Sequence, residues 1–515
     1  MFLANKKLNL RPESITMQNR FIKNIIFLLF LNLLVKPFWI LGVEVDVQNL
    51  VGDNVYGQYL SIFNFTYLFY ILLDLGINNF NNRNIAQNAN LLDRYFAGIA
   101  QVKLFLGILY SAVVFVCAYV SGFRSHEQLV LLAWCAANQI LLSFILYLRS
   151  NVSGLLMFKT DSLLSVLDRL IAIVVCAFML WSGVVDRGGF RILWFVRAQT
   201  FAYTVTFIVA LVIVLRQTGK LDFKIDVPFF VSILKDSFPF ALLALLMSFY
   251  SRLEPILLER MLGDSGFQAG LYGRAYRLFD AANNLAALFG VILLPMFASV
   301  IKKGDDLKGL LSLSANIMIA IAGIGAVMCI CYSTDIIEAF YGQQENESYE
   351  AFAYRVQTSS AVLSVLMGSF FAVSMTYIYG TLLTANGSLK QLNIMAATGV
   401  VVNVLLNVLL IPRFKAVGAA FSSLSVQMLM AVIQFVLVHK ILKLKIYSAE
   451  VGHLVAFSVL VVASTLLLKL LPMQWYFSFA ITLAVNVALI FATRLLDIKK
   501  MGSVLLPMLK SKFEK

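Results

Sequence analysis

Few side chains in this sequence are set up for bond-making chemistry. Its five cysteines (Cys117, Cys135, Cys176, Cys329, Cys331) lie in apolar runs without zinc or redox spacing, and His126, His439 and His453 are scattered in or beside loops. There is no Ser–His pairing, phosphate-cradling glycine loop or metal-ligand cluster, so no catalytic residue, metal or cofactor is expected. What the sequence does carry is charge where charge is expensive. Lys36, Arg252, Arg274 and Arg277 fall within or at the ends of apolar runs, near the carboxylates Glu254 and Asp280. Arg274 and Arg277 share one helix face, which Asp280 and Asn284 continue. A guanidinium fork matches phosphate oxygens two at a time, so a patch of these four cations points to an anionic ligand such as a pyrophosphate. Glu254 and Asp280 would then balance charge or couple to an ion. The competing explanation is structural ion pairing, with Glu254, Glu259 and Asp280 as the neutralising groups.

The elements that must position these groups are membrane helices. Hydrophobic residues make up 60% of the 515 and charged residues only 13%, about half the charged share of a soluble domain. That excludes a soluble enzyme and a nucleic-acid-binding module, despite a net charge of +14. Apolar stretches long enough to cross a ~30 Å hydrocarbon core recur about fourteen times. The first is placed at Phe21–Leu41, the second at Tyr56–Gly76, the seventh at Phe238–Leu262 and the eighth at Leu271–Ile301. The last two are Leu454–Leu471 and Trp475–Thr493. Lys and Arg concentrate on one side, roughly 25 against about 6, which puts both termini in the cytoplasm. Lys302, Lys303, Lys308 and Lys440 belong to that inner set, while Glu44, Asp46 and Asp53 fall in the first outer loop. No loop is long enough to form an extramembrane domain. Asp305-Asp306, among inner lysines, reads as a solvated turn.

A duplication organises the chain. Gly52-Asp53-Asn54-Val55-Tyr56-Gly57 after the first span matches Gly263-Asp264, then Gly270-Leu271-Tyr272-Gly273, after the seventh. The offset, about 216 residues, also places Lys36 on Arg252 and Pro37 within two residues of Pro255. Spans 1 and 7 thus each carry a cation beside a proline and lead into a Tyr-Gly turn. The expected fold is all-α: two pseudo-symmetric six-helix lobes, residues 1–228 and 229–440, plus two extra helices and a cytoplasmic tail in 441–515. Lys103, Arg169, Arg197, Lys235, Arg260 and Lys469 read as snorkelling residues, with Asp168 and Asp236 at the interface. Asn283, Asn284, Tyr67 and Tyr70 could meet a sugar.

The stretch Tyr250-Ser-Arg-Leu-Glu-Pro-Ile-Leu-Leu-Glu-Arg-Met-Leu-Gly263, with Ala269-Gly-Leu-Tyr-Gly-Arg-Ala-Tyr-Arg-Leu278, resembles the central signature of polysaccharide (O-antigen type) flippases. Tyr56-Gly57 through Asp74-Leu75-Gly76 and Leu383 through Ala420 agree with it. These flippases belong to the multidrug/oligosaccharidyl-lipid/polysaccharide exporter superfamily. The resemblance implies alternating access and transfer of a polyprenyl-pyrophosphate-linked oligosaccharide from the cytoplasmic to the periplasmic leaflet of a bacterial inner membrane. It implies membrane lipids and a coupling ion, H+ or Na+, as partners, and a monomer. Glu254 stands where the family usually has Asp. The alternatives are a multidrug/cation antiporter of the same superfamily and an integral-membrane polysaccharide polymerase or ligase.

Overall fold

The computed structural model describes residues 31–32, 34–88, 90–183, 189–219, 227–304, 306–344, 347–443 and 448–496, and their regular structure is entirely helical. Helices are what this composition demands, because lipid offers backbone N–H and C=O groups no partner. Ten helices are long and apolar enough to span a bilayer, and two bent pairs raise the number to twelve. Two of these segments are each a pair of helices joined at a single non-helical residue, so that among the described residues the candidate spans divide into fourteen helical passes.

The first such reversal is at Gly52, whose φ of 79° suits glycine and ends helix α1 (34–51) directly against α2 (53–68). Glu44 and Tyr56 both reach the guanidinium of Arg277, at 2.7 and 2.6 Å. In one straight helix they would lie about 18 Å apart. The second is at Lys415, φ 52°, between 389–414 and 416–441. There Gly399 and Met430, far apart in sequence, come into side-by-side contact.

After α2 the chain breaks through a 3-10 turn, Tyr70–Leu73, into α3 (Ile77–Gln87). Then follow α4 (Leu91–Val120), α5 (His126–Gly154), α6 (Phe158–Trp181) and α7 (Ile192–Leu215). The second lobe is α8 (Val227–Arg252), α9 (Glu254–Leu262), α10 (Phe267–Lys303), α11 (Leu307–Cys331), the short α12 (Ser333–Phe340), α13 (Tyr349–Ala385), α14 (389–414) and α15 (416–441). Finally α16 (Ser448–Lys469) and α17 (Trp475–Ala492) pack against α11 through Ala320, Ile324, Phe457 and Ile490. Two apolar clusters lie mainly in the N-terminal half and one large cluster mainly in the C-terminal half, with Val45, Leu60 and Ile256 reaching across.

Three details differ from the sequence reading. The first span does not stop at Leu41; it continues through a π-helical stretch, Trp39–Glu44, to the reversal at Gly52. Glu44 and Asp53 are therefore buried within or beside helices, not solvated in a loop, because basic partners neutralise them there. Tyr56-Gly57 and Tyr272-Gly273 lie inside helices; the turns precede them. Lys103 does not snorkel. It is buried, donating to the carbonyl of Leu73 at 2.9 Å and to Ser143 Oγ at 2.8 Å, with Asp74 at 3.5 Å, and so satisfies a carbonyl freed by the break in span 2. The inner residues Lys220 and Lys224, Asp305 and the tail beyond 496 lie outside the described residues, as does the side chain of Asp236.

Candidate functional site: an interlobe seam and a chamber

The lobes meet where the reversal at Gly52 docks on the first turns of α10. A Cβ on Gly270 would sit 2.1 Å from the carbonyl oxygen of Asp53, and one on Gly57 would sit 1.9 Å from that of Gly266. The backbones touch, which no larger residue permits. One turn along α10, Arg274 donates from Nε and Nη2 to the Asp53 carboxylate at 2.7 and 3.0 Å. The guanidinium has no exposed surface and rests on the Tyr341 ring, 4.5 Å from its centroid. Gln48 closes the knot, donating to Asp53 at 3.2 Å and to the Gly270 carbonyl at 2.9 Å. Arg277, a turn further, meets Glu44 and Tyr56, and Trp39 Nε1 donates to the same Glu44 at 2.6 Å.

The seam obeys the repeat. Shifting by 216 residues maps Arg277 to Ser61 and Glu259 to Val43, beside Glu44. Ser61 donates to Glu259 at 3.4 Å, so the contact between Arg277 and Glu44 has a weaker counterpart on the other side of the axis. Glu259 in turn pairs with Arg260, whose guanidinium lies over Phe123 of the first lobe, 3.7 Å from the ring centroid. Arg355 donates to the Glu347 carboxylate at 2.6 Å and to the Gly342 carbonyl at 2.9 Å. Burial opposes ionisation of Glu347, but hydrogen bonds from Arg355 and the Gln344 N–H outweigh it and hold its carboxyl below the usual range.

From Arg277 to Asp280, one turn of α10, the surroundings change. Asp280 and Arg252 stand at the head of a cavity of about 640 Å³ lined by α8, α10, α13, α14 and α15, with Tyr67 as its first-lobe residue. Arg252 lies over the Tyr67 ring at 3.9 Å and donates to Asn64 Oδ1 at 3.2 Å. Among the described residues neither Arg252 nor Lys36 has an ion-pair partner. Lys36 lies on the far side of α10 in a small crevice with Asn32, Pro37 and Asn284. The offset of the repeat maps Arg252 to Lys36 and Asp280 to Asn64, and Arg252 donates to that Asn64 of the other half.

The four sequence-selected cations therefore do not form one patch. Arg252 heads the chamber, Lys36 sits beside it across α10, and Arg274 and Arg277 are neutralised in the seam by Asp53 and Glu44. Glu254, Glu259 and Asp280 are not the counter-ions of Arg274. Glu254 is fully buried inside the second lobe; Asn403 donates to one carboxylate oxygen at 2.9 Å, Asn407 donates to Asn403 at 3.1 Å, and the other oxygen has no partner. Arg169 and Arg197, read as snorkelling, lie over aromatic faces, Trp39 and Tyr203 for the first and Trp134 for the second. Asp53 and Glu44 are the counter-ions that the sequence reading placed in the first outer loop. A Gly-Asp pair closing one span, repeated as Gly263-Asp264, was the available signal.

The fold has counterparts among solved membrane proteins. The fold is like that of the lipid II flippase MurJ in an inward closed conformation (TM-score 0.63, 14% identity, 93% of this chain and 98% of that one). It is also like an inward-facing multidrug resistance MATE family transporter (0.60, 13%, 79% and 95%) and a MOP superfamily transporter from Pyrococcus furiosus (0.54, 12%, 84% and 95%). The polysaccharide biosynthesis protein family model matches residues 21–301, more than half of the chain, and the chain belongs to that family. No curated protein matches it.

Proposed function

We propose that this protein is an alternating-access flippase. It carries a polyprenyl-pyrophosphate-linked oligosaccharide from the cytoplasmic to the periplasmic leaflet of a bacterial inner membrane, for cell-surface polysaccharide assembly. The observation that carries this reading is the pairing of a sealed seam with a polar chamber headed by an arginine that has no carboxylate partner. A half-buried guanidinium left without a counter-ion is poised for an incoming anion. In this reading the side bearing Lys302 and Lys308 is cytoplasmic, and the pyrophosphate meets Arg252 first, with Lys36 across α10. The prenyl tail stays in lipid. Arg274 and Arg277 would become available to the phosphates only when the seam opens, exchanging Asp53 and Glu44 for ligand oxygens. Binding on one side would thus help unlock the other.

Glu254 and Asp280 are the proposed coupling or charge-balancing groups. The unpartnered oxygen of Glu254 has room in its hydrogen bonding for H+ or Na+. An anionic cargo moving outward is also favoured by the inside-negative potential. The test is reconstitution in proteoliposomes with a fluorescent prenyl-pyrophosphate sugar under imposed pH, sodium and voltage gradients. Gradient-dependent exposure of the label on the far leaflet is expected; export of a lipophilic cation instead would replace this reading by that of a drug antiporter.

A further inference from the structure

We infer that the second-lobe chamber is a binding pocket for neutral sugar residues, the part of the cargo next to the pyrophosphate; this rests on the flippase reading above. The walls carry the inference. Gln427 and Gln434, two turns apart on α15, present one face to the cavity, and both are buried. The Gln434 carbonyl oxygen is wholly enclosed and has no hydrogen-bond partner among the described residues, while Gln427 lines the same cavity. Burying an unsatisfied amide costs on the order of 1–3 kcal/mol. An occupant of the chamber that donates to Gln434 offsets that cost.

Opposite them, α13 turns Thr376, Thr381 and Thr384 into the same space. Each hydroxyl spends its proton on a carbonyl of its own helix and so presents lone pairs to the cavity. Amides that donate and accept, facing hydroxyls that accept, complement the hydroxyls of a sugar. The volume equals that of about twenty waters at ~30 Å³ each, and ligand pockets run from about 300 to 1,000 Å³. Tyr276, Tyr377 and Tyr67 add aromatic faces of the kind on which sugar C–H edges stack. Among the lining residues formal charge is confined to Arg252 and Asp280 at the head, which form no ion pair with each other. A charged sugar deeper in the chamber would find no counter-ion there.

The experiment compares, in the same proteoliposomes, flipping of polyprenyl pyrophosphate bearing a neutral hexose/N-acetylhexosamine trisaccharide with flipping of sugar-free polyprenyl pyrophosphate. The unaltered protein is expected to favour the glycosylated lipid. Gln427→Leu with Gln434→Leu, and separately the milder Thr381→Val, should lower that ratio, by roughly tenfold for the double substitution. Thermal unfolding alongside confirms that the variants fold, and Thr381→Val serves if the double variant does not. A ratio unchanged in the folded variants, or equal rates for both lipids in the unaltered protein, overturns the sugar pocket and leaves the flippase reading standing. Flipping of neither lipid by the unaltered protein overturns both.

Discussion

In the seam, Arg274 meets Asp53 at 2.7 Å, lies on Tyr341 and has no exposed surface; at the chamber, Arg252 lies on Tyr67 and hydrogen-bonds only the neutral Asn64. Both are arginines on an aromatic ring inside a membrane protein. The first is supplied with its counter-ion by the opposite lobe and acts as a latch. The second is left a charge short. The difference teaches that a buried cation is informative about ligands only once its partners are counted, because pairing turns the same side chain from a binding group into a structural one.

The comparison breaks most severely at the glycines. Gly57→Ala places a methyl 1.9 Å from the Gly266 carbonyl oxygen, so the seam cannot close as it stands. A cross-link between Gln58→Cys and Ser265→Cys, whose parents are in contact at 3.0 Å, is expected to form in the parent and to fail in the Gly57→Ala background, with transport falling to background. Next is Asp53→Asn, which strands the Arg274 charge. Breaking a buried pair costs about 3–5 kcal/mol, so the same cross-link should lose occupancy by about 10²–10³-fold, and Asp53→Arg with Arg274→Asp should recover part of it.

Arg252→Ala separates the two regions. On the proposed flippase function, movement of the pyrophosphate-linked lipid should drop at least about tenfold, the loss of one charge-assisted contact, while the seam cross-link is retained. A loss of cross-linking equal to that of Asp53→Asn would show that Arg252 also belongs to the latch. The smallest effect concerns Glu347. Its folded-state pKa is depressed, so its contribution is present at neutral pH and disappears as pH falls through that lowered value, below the ordinary ~4.3. Hydrogen exchange at Tyr341–Gln344 should therefore rise in that acidic window, and Glu347→Gln should show the raised exchange at neutral pH.

Much of the architecture was legible in one dimension. Apolar runs of spanning length mark helices because lipid leaves the backbone no alternative, and Gly52-Asp53 against Gly263-Asp264 betrays the duplication. Legibility stopped at the connections. A reversal through one glycine leaves no loop, so Glu44 and Asp53 read as solvated charges when they are the counter-ions of Arg277 and Arg274. The chamber was harder still. Gln427, Gln434 and Thr381 are ordinary interhelical residues in sequence, and their place on one cavity wall appears only when α13 and α15 face each other across a gap.

Composition and periodicity by themselves determined that this chain is a bundle of membrane helices in two related halves, because the solvation of peptide groups and charges depends on local composition alone. Which arginine is latched and which is free was decided by the tertiary structure, since an ion pair is a distance between residues some 220 positions apart, Asp53 and Arg274, and a linear pattern carries no such distance.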